Sequence, residues 1–245
     1  AVINCRGHRF IGNGFGPGCS GVRIDVLGAA GDYLGSGNDG MEIHMHGNGQ
    51  DQIAQIHKSG ELVIHGDVGQ CYGYGSKGGL LFVLGNAAGR PMINSVGSPR
   101  LVINGTALDY LAESFMAGDP LNGGGFVIVN GLRFDDKGRI VPLETPYPGS
   151  NLFSLSSGGA IYVRDPYERL SSSQLNGGEF TELTEADWAV IEPVLLRNEV
   201  HFDIALEDLL MVGGQRRSPY DVYRKIIPVK SKMLHAEAAW AGHQE

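Results

Sequence analysis

The sequence predicts an all-β fold, a parallel β-helix of stacked coils with a helical appendage at its C-terminal end. Three observations predict it. Short β-rich runs recur and each is closed by a glycine; the spacing between these glycines is nearly constant; and apolar side chains alternate along the runs. The closing glycines are Gly28, Gly47, Gly66, Gly85, Gly105 and Gly131, at spacings of 19, 19, 19, 20 and 26 residues. A strand of five residues rises roughly 17 Å, so nineteen residues fit two or three such strands and their corners, which is one coil of a solenoid. A single coil cannot bury its inner face, and stacking does so.

The runs follow in order. Val22–Leu27 precedes Gly28, Met41–His46 precedes Gly47, and Glu61–His65 precedes Gly66. Leu80–Leu84, Arg100–Asn104 and Phe126–Asn130 precede Gly85, Gly105 and Gly131, and Ala160–Arg164 is the last. Apolar side chains recur at every second position, Ile24 and Val26, Ile43 and Met45, and Leu62 and Ile64, so one face points inward. The third and fourth runs are more continuously apolar, which predicts cover on both faces. Glycines at the corners permit positive φ and close backbone approach. A second pattern returns after 38 residues: Gly28, Gly31, Gly35 and Gly37 are matched by Gly66, Gly69, Gly73 and Gly75.

The predicted β-helix covers residues 1–180, interrupted by a protruding insertion at 132–157. There, Arg133–Ile140 has the turn chemistry of a hairpin, and Pro142, Pro146 and Pro148 follow. Residues 181–245 carry helices and an extended tail that pack on the last coil or on partners. Thr184-Glu185-Ala186-Asp187 resembles a capping box, after which Trp188, Ile191, Leu195 and Leu196 recur at helical spacing. A second helix is expected near Asp203–Met211, ended by Gly213-Gly214. Packed on the terminal coil, such helices would cover a sheet edge.

Composition narrows the function classes. The 245 residues carry 38 glycines, about twice the usual share, without the strict triplet period of collagen. A net charge of −8 argues against a nucleic-acid groove or an anionic membrane surface. No apolar run reaches membrane-spanning length, and the first residues do not read as a secretory signal. Three cysteines, Cys5, Cys19 and Cys71, with no C-x-x-C, suit a reducing, cytoplasmic setting and offer no cluster ligand set.

Glycine-rich Gly12–Gly18 and Gly28–Gly37 look like phosphate loops. Neither is followed by an amphipathic helix or contains the Lys-Ser/Thr pair, so corner glycines are the better reading. His44 and His46 share a strand face, and His65 is the equivalent of His46 one coil on, because 65 − 46 = 19. Two stacked imidazoles can bind a metal, but a polar ladder continued by Asn104 and Asn130 explains them without one. Cys71 lacks a nearby base and reads as a small hydrophobe. Asp135-Asp136 reads as turn chemistry. No catalytic, cofactor or metal residue is expected on this chain.

The Gly28–Gly37 stretch, Leu62–Gly69, Gly78–Gly85 and Gly158–Val163 resemble successive coils of the C-terminal glycine-repeat domain of the glutamate synthase large subunit, the GXGXG domain. The similarity runs over roughly 20–229 and includes Arg224-Lys225-Ile226-Ile227-Pro228. The resemblance implies a right-handed β-helix that spaces and orients catalytic domains without chemistry of its own. It implies a structural subunit of a glutamate-synthase-like oxidoreductase complex, in which glutamine amide nitrogen forms glutamate or an N-substituted glutamate. Partner chains would then carry the amidotransferase, FMN and an iron–sulfur cluster. The same fold serves formylmethanofuran dehydrogenase, so a scaffold in that complex or in a formyltransferase/hydrolase complex is the alternative. In bacterial glutamate synthase the domain is fused to an amidotransferase and a flavin domain. This chain is expected to be free-standing, with room for a homo-oligomer.

Overall fold

The computed structural model describes residues 1–229. Strands β1 (Val2–His8), β2 (Arg23–Ala30), β3 (Asp39–His46), β4 (Ser59–Ile64), β5 (Leu80–Val83), β6 (Arg100–Ile103) and β7 (Phe126–Val129) form a parallel sheet in chain order. A hairpin, β8 (Leu132–Phe134) with β9 (Ile140–Pro142), then leaves the coil path, and β10 (Ala160–Arg164) returns to pair in parallel with β7. The chain is a parallel β-solenoid. No helix among the described residues is long and apolar enough to cross a membrane.

The register explains the core. Val26, Met45, Ile64, Val83, Ile103, Val129 and Val163 stack as Cα partners, one per coil. Two residues earlier, Ile24, Ile43, Leu62, Leu81, Leu101, Val127 and Ile161 form a second row. Strand alternation sends both rows inward, and all but Ile24 are buried. Gly28, Gly47, Gly66, Gly85 and Gly105 stack from coil to coil: a Cβ on each of the last four would press on the carbonyl oxygen of the glycine before it. Only glycine lets successive coils come this close.

The opposite wall has a backbone signature. In each turn, three alternate residues take positive φ. They are Phe10, Gly12 and Gly14; Tyr33, Gly35 and Gly37; Gln52, Ala54 and Ile56; Cys71, Gly73 and Gly75. The series continues with Arg90, Met92 and Asn94, then Tyr110, Ala112 and Ser114, and finally Asn151, Phe153 and Leu155. The N–H groups of successive positive-φ residues point to opposite coils. Tyr33 and Gly37 donate to Asp51 and Gln55 in the next turn, whereas Gly35 donates back to Ile11. The wall therefore satisfies its backbone by bonding both ways along the axis.

The last of these triplets divides the predicted insertion. Only the hairpin and its flanks leave the solenoid. Residues 147–157 follow the coil path: Tyr147, Leu152 and Phe153 are buried, and Phe153 donates to the carbonyl of Leu111. The prolines masked this, because they read as a protruding loop. Asp135 organises the hairpin turn, its carboxylate accepting from the backbone N–H groups of Lys137 and Arg139.

The C-terminal part is placed differently from expectation. Helix α1 (Glu185–Phe202) lies across the outer face of the sheet and does not cap its edge. The face requires it, because Val63, Phe82, Val102, Ile128 and Tyr162 form an outward row that is wholly buried beneath the helical region. Thr184 and Asp187 form the capping box, and Ile191, Val194 and Leu195 face the sheet while Leu196 is exposed. The sheet edge is covered by strands. β14 (Tyr223–Pro228) pairs antiparallel with β10, and β11 (Gly178–Thr181) pairs antiparallel with β14. Between them lie α2 (Leu206–Leu210), a small hairpin of β12 (Met211–Val212) and β13 (Gln215–Arg216), and α3 (Pro219–Val222). Gly213-Gly214 forms that hairpin's turn, at φ +60° and +80°, and is not the stop of α2. Asn104 and Asn130 do form a ladder, but a buried one: the Asn130 amide donates to Asn104, Asn104 and Asn198 exchange two bonds, and Tyr223 donates to Asn130.

Candidate functional site

A histidine cluster sits where α1 ends. The outward row that is apolar under the helix continues toward the first coils as His44 and Asp25, the partners of Val63 and of His44 in the parallel register. The cover stops at Phe202, so the same sheet face turns from apolar to polar within one coil. On β3 the alternation brings Glu42, His44 and His46 to that face. On the next coil the same alternation brings Glu61 and His65. The last two turns of α1 add Arg197 and His201 from more than 130 residues away.

His44 Nδ1 lies 3.2 Å from His65 Nε2, and His44 Nε2 lies 2.7 Å from Glu42 Oε1. His46 stacks on His65 with ring centroids 4.7 Å apart, and its Nε2 is 2.9 Å from Asp25 Oδ1. His201 meets the edge of His44 and its Nε2 is 3.0 Å from Glu61 Oε2. Arg197 holds Glu61 through Nε and Nη2. Arg23 bridges Asp25 and Glu42. One nitrogen each from His44, His46 and His65 lies within 4.8 Å of the others. The sequence places His44 and His46 on one strand face and His65 one coil on from His46, and the structure brings the three rings together.

Burial shifts the groups here. His65 is pushed down to about 4 by burial and by the neighbouring His46, His44 and His201. Burial also lowers His44, against the pull of Glu42. Burial would raise the Glu61 carboxyl, but His201 and Arg197 overcome it and bring the group to about 2. Glu61 therefore contributes stability that is complete above the ordinary carboxylate range and is lost as pH falls toward 2. Glu61→Gln should cost about 1–2 kcal/mol at pH 7, because Arg197 and His201 lose a charged partner in a half-buried site. Urea midpoints of the two proteins check this, and equal midpoints would show that Glu61 does not hold the helix end.

The other candidates resolve simply. Gly12–Gly18 leads into a short 3-10 turn at Pro17–Cys19, with no α-helix to aim N–H groups at a phosphate. Gly31, Gly35, Gly37, Gly69, Gly73 and Gly75 all lie in the coil walls, and Cβ atoms at Gly31 and Gly69 would press on Gly7 and Gln50 of the neighbouring coil. Cys71 is half-buried and burial raises its thiol, which is the wrong direction for a nucleophile. His57, which sequence reasoning did not single out, is fully buried with its Nδ1 unpaired, and burial lowers it to about 4.

A family model described as the GXGXG motif matches residues 2–191, from β1 into α1. None of the curated proteins matches the chain.

Proposed function

The chain belongs to the GXGXG motif family, and from that premise we propose that it is a non-catalytic structural subunit of a glutamate-synthase-like complex. In such a complex, glutamine amide nitrogen forms glutamate or an N-substituted glutamate. The amidotransferase, FMN and iron–sulfur cluster reside on partner chains in the cytoplasm. The observation that carries the scaffold reading is the contrast between the interior and the outside of the first coils. The solenoid interior is filled from coil to coil by apolar side chains. Its first two coils instead leave Ile3, Phe10, Phe15, Val22 and Leu27 exposed. A packed solenoid with exposed apolar side chains on its first coils suits a part that is held against others.

Side contacts fall to the hairpin and the C-terminal segment. Phe134, Tyr220 and Val229 are exposed there, whereas Tyr147, Tyr223 and Ile226 are taken into the chain's own core. Met233, Leu234 and Trp240, also expected at an interface, lie outside the described residues. Purification of a tagged chain from its source cells should bring down an amidotransferase and a flavin or iron–sulfur subunit. Recovery of formylmethanofuran-dehydrogenase-like or formyltransferase/hydrolase chains would replace this reading by the alternative, and a chain recovered alone would end both. Deleting residues 231–245 is expected to leave the solenoid folded by circular dichroism and to weaken that association at least about tenfold. Full-strength association by the truncated chain would remove the tail from the interface.

A further inference from the structure

We propose that His44, His46 and His65 form a binding site for one divalent zinc ion. The site is independent of the scaffold reading, and it revises the expectation that these side chains are only a polar ladder. Zinc bound to imidazole has Zn–N distances of about 2.0–2.1 Å and tetrahedral angles, which place two ligand nitrogens roughly 3.4 Å apart. His44 Nδ1 and His65 Nε2 are 3.2 Å apart. The third ligand comes from His46, whose candidate atom lies within 4.8 Å of the other two. Imidazole nitrogen is a donor that suits zinc among the common divalent ions.

The surrounding carboxylates fix which nitrogens face the ion. Glu42 accepts a proton donated by His44 Nε2, and Asp25 accepts one donated by His46 Nε2. That leaves the Nδ1 lone pair of each ring free, in the carboxylate–histidine arrangement that orients metal ligands. With His44 Nδ1 an acceptor, His65 Nε2 is the donor between those two rings. Moving that proton to His65 Nδ1 through solvent frees the third lone pair with no net change in charge. The ladder alone accounts for the stacked His46–His65 pair. It does not account for His44, a nearly buried ring held with one nitrogen on a carboxylate and the other on a second imidazole.

Charge favours a cation. Asp25, Glu42 and Glu61 outnumber Arg23 and Arg197 by one around the three rings. The cluster also lies at the C-terminal end of the 18-residue α1, where the helix carbonyls are unpaired and the dipole is negative. The three rings lie within 29° of parallel, so rotation about Cβ–Cγ must bring their lone pairs to one point. His46, the most exposed of them, has the freedom to make that adjustment. Water takes the fourth position.

The test uses the untagged full chain, stripped with a chelator and desalted. Calorimetric titration with zinc should show one equivalent bound with Kd near or below about 1 µM. Cobalt(II) in its place should give the intense visible bands of a tetrahedral site. His46→Asn, at an exposed position, should keep the fold and weaken zinc at least about tenfold, and His65→Gln should weaken it about 100-fold. Identical binding by the parent and both variants would place the ion on other histidines and overturn the proposal. So would a parent that binds no zinc at millimolar concentration. If His65→Gln fails to fold, the His46→Asn comparison decides alone.

Discussion

Gly47→Ala is expected to destabilise the chain by about 3 kcal/mol or more, from two additive causes. Gly47 has φ +146°, a region that side-chain-bearing residues rarely enter, and a Cβ there would overlap the carbonyl oxygen of Gly28. That oxygen belongs to the backbone of the preceding coil, so it cannot swing aside as a flexible side chain could. Relief requires the two coils to separate, which breaks the parallel pairing of β2 with β3 and loosens the rows holding Val26 and Met45. Gly14→Ala separates the causes. Gly14 has φ +83° but nothing within 4 Å of an added Cβ, so it should cost only about 1–2 kcal/mol. In a chain of this size, 3 kcal/mol corresponds to a fall in Tm of about 6–12 °C. Equal Tm values for the two variants would refute the close-approach account of the glycine stack.

That glycine stack was legible in the sequence because close approach of backbone admits one residue type. The positive-φ wall was legible only in part, for the same reason inverted. Gly35-x-Gly37 and Gly73-x-Gly75 return after 38 residues, which reads as a pattern of alternate coils. The backbone makes the same excursion in the intervening coil too, with Ala54 and Ile56 where glycine would be easiest, and again with Met92 and Asn94. Packing and the axial hydrogen bonds hold these residues in a strained region, and nothing in an alanine or isoleucine announces it. Interior rows such as Val26–Met45–Ile64 follow from the 19-residue period alone.

The candidate site divides in the same way. His46 and His65 fall together by arithmetic, since one coil separates them. Glu61, Arg197 and His201 meet across a tertiary contact, because their relation depends on where α1 lies. The alternation on β3 and β4 shows that these side chains face outward. It does not show that a helix ends above them. The signal that points to the helix's position was present but indirect. The outer face of β4 to β7 is too apolar to be left in water, and α1 has the only apolar stripe of matching length among the described helices.

The N-terminal anchor of that helix is the second place where one substitution should be severe. Asp187→Ala is expected to cost about 3–5 kcal/mol at pH 7. The carboxylate is fully buried and accepts from Lys225 Nζ at 2.6 Å, Tyr162 Oη at 2.8 Å, Thr184 Oγ1 at 2.7 Å and the Thr184 N–H at 3.0 Å. It thus joins α1, β10 and β14, and also closes the helix cap. Removing it leaves the Lys225 ammonium charged and mostly buried, and the Tyr162 hydroxyl without an acceptor. Burial by itself would raise the Asp187 carboxyl, but Lys225, Thr184 and Tyr162 outweigh it and hold the group below its ordinary value. A folded value below the unfolded one means that the contribution is complete above the unfolded value and is lost as pH falls through the folded one. The gap in unfolding free energy between the parent chain and Asp187→Asn should therefore be widest near pH 7 and narrow in acid. Lys225→Met combined with Asp187→Leu should recover part of the loss, since it removes the stranded charge together with its partner. Urea titrations of these variants at pH 7, 5 and 3 measure all three effects. A gap that stays constant across that range would mean that the cost comes from lost packing and capping, with no charge pair at the head of α1.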